Sequence, residues 1–193
     1  MKKGNIIVIS APSGTGKTTI CNELKKKLKE INSEFSISTT TRKPREKEIE
    51  GKDYFFVSKK EFKKMIMEKQ FVEWANIYGY FYGTSKKFIF SALNKGKNII
   101  LNIDVQGASQ IKKQFSNAKL IFILPPSWQE LKNRLYNRKQ NSEKEIRKRL
   151  NVAKKELKYI VNYDYFVVND NLKDTVKKII YIIKNKEGKS IGY

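Results

Sequence analysis

The stretch Ala11-Pro12-Ser13-Gly14-Thr15-Gly16-Lys17-Thr18 constrains the fold more than any other part of this chain. It follows a short apolar run, Asn5 to Ser10, and opens a helical pattern carried by Ile20, Leu24, Leu28 and Ile31. Strand, glycine-rich turn and helix start together aim several backbone N–H groups at one point, where the helix dipole also favours negative charge. A polyphosphate fits there. Gly14 and Gly16 allow backbone conformations that a side chain would obstruct, Lys17 supplies a point charge for β and γ phosphates, and the Thr18 hydroxyl is suited to ligate Mg²⁺. Ala11 stands where the strict G-x-x-x-x-G-K-[ST] form has its first glycine, and alanine is small enough for that place.

Four short runs, Ile6 to Ile9, Ile99 to Ile103, Leu120 to Leu124 and Tyr165 to Val168, are nearly continuous in apolar residues. Such runs read as strands buried on both faces of a parallel sheet. Helical patterns alternate with them: after the loop, near Gln106 to Gln114, from Ser127 to about Arg138, and from about Asn171 to Lys186 with Leu172, Val176, Ile179, Ile180 and Ile183. The alternation predicts an α/β, doubly wound parallel-sheet core with helices on both faces. Ser127 with Glu130, directly after Pro125-Pro126, reads as a capping box at a helix start.

Two segments interrupt this core. Residues 35–90 hold the polar stretch Ser38 to Arg45, a short β run Tyr54 to Val57, and Ser58 with Glu61 as a second capping box. Phe71-Val72-Glu73-Trp74 and Tyr80-Phe81-Tyr82-Gly83 follow, giving a small β-rich insert. The other segment, polar from Arg138 to Lys144, feeds a helix opened by Ser142 with Glu145 and striped by Ile146, Leu150, Ala153 and Leu157; it reads as a mobile flap on a helix. The expected division is a core of residues 1–34 and 91–193, with a helical lid at about 135–158, and an insert of residues 35–90.

Composition narrows the chemistry. A chain of 193 residues with 39% hydrophobic content is long enough for a substantial core. No histidine is present, which excludes His-based acid/base chemistry and most zinc sites, and the single Cys21 falls beside an apolar helix stripe as a structural thiol. With no signal peptide pattern and no run approaching the ~18 residues of a membrane-spanning helix, a cytoplasmic location is expected. The formal net charge of +22 attracts polyanions. The lysines, however, spread along nearly every helix, as in Lys25-Lys26-Lys27, Lys63-Lys64, Lys154-Lys155 and Lys177-Lys178, and read as solvated faces. No dedicated nucleic-acid or membrane partner is therefore expected, and the rarer arginines carry more information.

With these residues in view, the chain resembles guanylate kinases over essentially its whole length. The resemblance rests on Ser10 to Thr19, Ser36 to Arg45, Gly51 to Val57, Glu73-Trp74-Ala75, Tyr82-Gly83-Thr84, Ile103 to Gly107 and Val168-Asn169-Asp170. It implies a P-loop core, a GMP-binding insert and a lid, acting together to convert ATP and GMP to ADP and GDP with Mg²⁺. The same resemblance implies ATP contacts from Ala11, Pro12, Ser13, Gly14, Thr15, Gly16, Lys17, Thr18, Thr19, Arg134 and Asn169. For GMP it implies Ser38, Arg42, Arg45, Tyr54, Glu73, Tyr82, Thr84 and Asp104. Catalytic roles fall to Lys17, Arg42, Arg138 and Arg149, and the metal to Thr18 and, through water, Asp104. GMP and dGMP are both expected acceptors, for a monomer or homodimer.

Elementary chemistry points the same way. A phosphate oxygen attacking another nucleotide's γ-phosphoryl group is already anionic and needs no general base; it needs alignment and charge neutralisation. Arg42 and Arg45 project from a segment stiffened by Pro44, where guanidinium forks grip a phosphate. Guanine offers two adjacent donors, which a carboxylate matches, and Glu73 stands in an otherwise apolar run. Adenine would turn a lone pair toward that carboxylate.

Three departures from the family pattern are visible: Asn102 in place of an acidic residue, Glu46-Lys47-Glu48 displacing a glycine after Arg45, and Asn137 and Lys139 where glycines flank the lid arginine. Competing readings are an inactive interaction domain, a nucleic-acid binder, and a kinase for another mononucleotide or a phosphorylated sugar. Gly16-Lys17-Thr18 with the lid arginines argues against the first, and Glu73 with Ser38 tilts the last toward GMP.

Overall fold

The structure, a computed structural model, describes residues 4–137 and 142–185. The chain is mixed α/β, with a five-stranded parallel sheet and a separate four-stranded sheet. It forms two compact units: residues 1–6 with 33–118, and residues 7–32 with 119–193.

In the second unit, β1 (Ile6–Ser10), from Ile7 onward, pairs in parallel with β8 (Lys119–Leu124), which pairs in parallel with β9 (Tyr165–Val168). All five residues of β1 are buried, as its unbroken apolar run requires. β9 departs from that expectation. Tyr165 and Val167 are buried while Phe166 is 37% exposed, because β9 is the outermost strand and keeps an open face.

The first helix, α1 (Lys17–Lys25), ends earlier than its apolar spacing predicts. The chain tightens there into i→i−3 bonds, Lys26 N–H to Glu23 O and Lys27 N–H to Leu24 O, although Ile31 is still buried. Helix α5 (Trp128–Tyr136) starts at Ser127, whose hydroxyl accepts the Glu130 N–H; the Glu130 carboxylate pairs with Arg134 at 2.8 Å. Helix α6 (Glu143–Leu157) has the full reciprocal box between Ser142 and Glu145. Leu131 and Leu135 of α5 pack with Ile146 and Ala153 of α6. Helix α7 (Leu172–Lys184) is capped by Asn171, and Lys119 donates to the carbonyls of Ile182 and Asn185 at its C-terminal end.

In the first unit, β2 (Ser33–Phe35) pairs in parallel with β7 (Asn98–Asn102). The four-stranded sheet has the order β4-β3-β6-β5, from β3 (Ser38–Thr40), β4 (Tyr54–Phe56), β5 (Phe71–Ile77) and β6 (Tyr80–Ser85). Helix α2 (Lys59–Met67) inserts the fully buried Phe62, which stacks on Phe71 at 4.6 Å and Phe81 at 5.4 Å between ring centroids. Helix α3 (Lys86–Asn94) and helix α4 (Val105–Gln114) complete the unit.

Phe62 is the aromatic centre of this small sheet. Phe62→Ala is expected to destabilise the protein by about 3–5 kcal/mol in urea denaturation, the usual range for deleting a fully buried ring. A loss below about 1 kcal/mol would show that the sheet does not depend on this stack.

Candidate active site

Two groups of polar residues stand out, one in each unit. In the second unit, Gly14 and Gly16 have φ of 96° and 95°, and Gly16 forms the N-cap of α1. That conformation strains any residue with a side chain. A Cβ on Gly16 would also lie 2.7 Å from Asn169 Nδ2. The loop is held from beneath: the buried Asn169 amide donates to Thr15 O at 2.7 Å and its Oδ1 accepts from the Thr175 hydroxyl at 3.2 Å. Arg134 Nη1 reaches Thr15 O at 3.3 Å, and both its terminal nitrogens reach Asn169 O at 3.4 Å.

A cavity of about 430 Å³ opens beside this loop, lined by Gly14, Gly16, Thr19, Arg134, Asn137 and Asp170 among others. Lys17 is half-buried at the first turn of α1, and Thr18 is exposed beside it. Ala11 and Pro12, earlier in the loop, are buried. Arg149 of α6 donates from Nη1 to Ser13 Oγ at 3.2 Å, so this arginine stands directly on the loop. Arg138 lies outside the described residues, as does Lys139. Cys21 is buried, and burial pushes its thiol up to about 11, which leaves it protonated and inert.

In the first unit, the residues divide into two clusters. The first surrounds Glu73, which is only 3% exposed. Strand alternation alone would not bury Phe71, Val72 and Glu73 together. The pairing of β5 with β6 shifts register between Phe71 and Glu73, a bulge that turns the carboxylate inward. The Thr84 hydroxyl, on the partner strand, donates to Glu73 Oε1 at 2.5 Å. Desolvation by burial pushes the Glu73 carboxyl up to about 7; hydrogen bonds from Thr84 oppose the shift, and the charge of Asp104 adds to it. Asp104 is the N-cap of α4, its Oδ1 accepting the Gly107 N–H at 2.9 Å and its Oδ2 accepting from Gln106 Nε2 at 3.0 Å. Asn102, at the end of β7, is exposed.

The second cluster is built on Arg42. Its Nε donates to the Tyr82 hydroxyl at 3.3 Å, and its guanidinium lies 5.3 Å from the centre of the Tyr54 ring. Its two terminal nitrogens form a fork to Glu48, Nη1 to Oε2 at 2.9 Å and Nη2 to Oε1 at 2.8 Å. Glu48 also accepts the Arg45 N–H at 2.8 Å, and Arg42 holds its carboxyl below the usual range. The Arg45 side chain is exposed, and Ser38 sits half-buried opposite Tyr54 across the β3–β4 pair. The turn after Arg45, where a glycine was displaced, is thus organised by Glu48.

Sequence reasoning assigned no role to Glu48, seen only as part of a departure from the family pattern, or to Gly107, seen only as part of a matching motif. The signal for Glu48 was a carboxylate six residues after an arginine in a basic stretch. Gly107 left a subtler one, a glycine inside a helical pattern. A Cβ there would lie 2.4 Å from Glu73 Oε2, so only glycine lets the helix approach the carboxylate.

The family model described as Guanylate kinase matches residues 3–186. The chain belongs to the guanylate kinase family. It is 51% identical to the guanylate kinase of Clostridium tetani over 183 residues, covering 95% of this chain and 86% of that protein. It is 47% identical to that of Clostridioides difficile over 193 residues, 100% of this chain and 93% of the relative. The crystal structure of guanylate kinase from Anaplasma phagocytophilum aligns with a TM-score of 0.79 at 34% identity, covering 95% of this chain and 86% of that one. Among the described residues, no helix is long and apolar enough to cross a membrane.

The Glu73 carboxyl gives a stability test. Its folded value of about 7 lies above the unfolded reference of 4.5, so the folded chain holds more protons between those pH values. The stabilisation is fully present below about pH 4.5 and is lost as pH rises through 7, on the order of 3 kcal/mol for the whole shift. Between pH 8 and pH 5 the wild type is expected to gain denaturation free energy relative to Glu73→Gln. Parallel pH profiles for the two proteins would contradict the assignment.

Proposed function

We propose that this protein transfers the γ-phosphoryl group of ATP to GMP, giving ADP and GDP, in the cytoplasm. The observation that carries the acceptor's identity is the buried Glu73 carboxylate with the Thr84 hydroxyl against it. Ionised, Glu73 accepts from the N1–H and exocyclic amine of guanine, while Ser38 and Thr84 hydroxyls serve the purine's remaining edge, with Asp104 nearby. An adenine or pyrimidine base lacks that adjacent pair of donors and would leave the buried carboxylate short of partners, which is costly. The same base and phosphate contacts are available to dGMP, which is accepted as well.

Residues 35–90 act as the acceptor insert, and the GMP phosphate is held by Arg42, Arg45, Tyr54 and Tyr82. ATP lies on the second unit. The loop N–H groups of Ala11 to Thr19 and the Lys17 ammonium hold its phosphates, and the Arg134 guanidinium with Asn169 borders its base. Mg²⁺ suits this loop: the Thr18 hydroxyl, exposed at the start of α1, would hold the ion together with oxygens of the polyphosphate. The ion neutralises charge on the polyphosphate when bound. Among the described residues, no cluster of three acidic or cysteine ligands forms an all-protein cage.

The attacking GMP phosphate oxygen is anionic, so the protein's part is alignment and stabilisation of charge on the moving phosphoryl group. Arg149, already bonded to Ser13 of the loop, neutralises that charge, and Arg138 of the lid joins it. Closure of the lid, residues 135–158, excludes water that would otherwise take the phosphoryl group.

A coupled ADP-release assay with ATP and Mg²⁺ against GMP, dGMP, AMP, CMP, UMP and dTMP tests the proposal. Turnover with GMP and dGMP alone is expected, and absence of turnover with GMP overturns it. Glu73→Gln is expected to lower kcat/KM for GMP by at least ~2 kcal/mol, as for loss of a charged hydrogen-bond partner. Arg149→Ala is expected to lower kcat by about 10²-fold or more with KM values changed little. Weakened binding with full turnover would assign Arg149 to the ground state instead.

A further inference from the structure

Strand β5 ends the order of the four-stranded sheet, so among the described residues its outer edge has no strand neighbour. Peptide groups on such an edge need other partners. On β5 they are supplied by side chains of α4. Gln110 Oε1 accepts the Trp74 N–H at 3.2 Å, and Gln110 Nε2 donates to the Trp74 carbonyl at 2.7 Å. One primary amide thus engages both main-chain groups of a single residue, as a neighbouring strand would. Four residues further along the same helix, Gln114 Nε2 donates to the Val72 carbonyl at 2.6 Å. The residues so gripped, Val72 and Trp74, are the two neighbours of Glu73.

The inner edge of Glu73 is already occupied, since it pairs with Thr84 across the β5–β6 ladder. The bulge just before it frees the strand locally from regular pairing, which removes the ordinary constraint on where the carboxylate points. The side-chain amides restore that constraint from the helix. The same helix presents Gly107, three residues before Gln110, where the absence of a side chain leaves room for Glu73 Oε2. Gln110 is half-buried and Gln114 exposed, so neither is needed to fill the core.

We propose that Gln110 is a positioning residue for base recognition: its side-chain amide clamps the main chain of Trp74 to α4 and thereby fixes the Glu73 carboxylate at the distance and angle that a guanine donor pair requires. The inference rests on the reading that Glu73 recognises guanine. Its ligand is a 6-oxopurine mononucleotide bearing a 2-amino group, and its effect is discrimination rather than turnover. Gln114 holds the strand one step away and has a smaller influence.

The experiment compares kcat/KM for GMP with that for IMP, which keeps N1–H but lacks the 2-amino group, in the wild type, Gln110→Met and Glu73→Gln, each as the full chain. Methionine keeps the side-chain length and volume and removes both hydrogen bonds. The GMP-to-IMP ratio in Gln110→Met is expected to fall at least tenfold through a raised GMP KM, with the ATP KM within twofold of wild type. A ratio within twofold of wild type in Gln110→Met, while Glu73→Gln lowers it tenfold, overturns the inference and leaves the function standing. An unchanged ratio in Glu73→Gln itself overturns the guanine reading and this inference together. Equal rises in ATP and GMP KM, with a lowered melting temperature, would reduce Gln110 to a merely structural role and also overturn it. Should Gln110→Met fail to fold, Gln110→Glu carries the test, because it keeps the acceptor for Trp74 N–H and loses the donor to Trp74 O; the same fall in the ratio is expected, and an unchanged ratio overturns the proposal.

Discussion

A carboxylate removed almost entirely from water is the constraint on which the first unit depends. Burying Glu73 at 3% exposure would be costly without compensation. The compensation is incomplete, and the raised carboxyl value records it. Thr84 gives a short hydrogen bond, and Gly107 in the first turn of α4 leaves room for Glu73 Oε2. The β5 bulge, the glycine in α4 and the side-chain clamp on Trp74 all follow from placing one charged group there. A ligand with two adjacent donors would complete what the protein leaves unsatisfied.

The donor loop shows the complementary strategy. Its demand is for backbone N–H groups held in one place, and the chain meets it from beneath with a buried polar residue. Asn169 ties Thr15 O to the end of β9, and Thr175 of α7 ties Asn169 in turn. Gly16 is required twice, by its positive φ and by the closeness of that amide. The large net charge contributes differently. Lys25, Lys26, Lys27, Lys63, Lys64, Lys154, Lys155, Lys177 and Lys178 are all exposed, and they supply a long-range field for anionic nucleotides rather than a built site.

Much of this was legible in the residues. Continuous apolar runs marked β1, β7 and β8, and serine with glutamate three positions on marked the starts of α2, α5 and α6, since a cap is a purely local hydrogen bond. Glu73 stood out because a charge in an apolar strand demands a reason. What stayed hidden depended on pairing. A bulge arises from the register of two strands, and nothing in Phe71-Val72-Glu73 alone reveals it. Gln110 and Gln114 look like any polar helix residues until an edge strand is laid beside them. Glu48 lay in a stretch that broke the family pattern, and its fork to Arg42 depends on a turn whose shape local spacing did not predict. Phe166 was expected in the interior because strand position within a sheet is a tertiary property.

Base recognition rests on the ionisation of Glu73, and proton release upon GMP binding measures it most directly. Calorimetric titration at pH 7 in two buffers of different ionisation enthalpy gives the number of protons exchanged, and subtraction of the Glu73→Gln result cancels protons that belong to the nucleotide. A carboxyl near 7 in the free protein, forced to ionise by guanine donors, predicts a net release of about half a proton at that pH. Identical buffer dependence in the wild type and in Glu73→Gln would contradict the claim that a buried, ionising Glu73 reads the base.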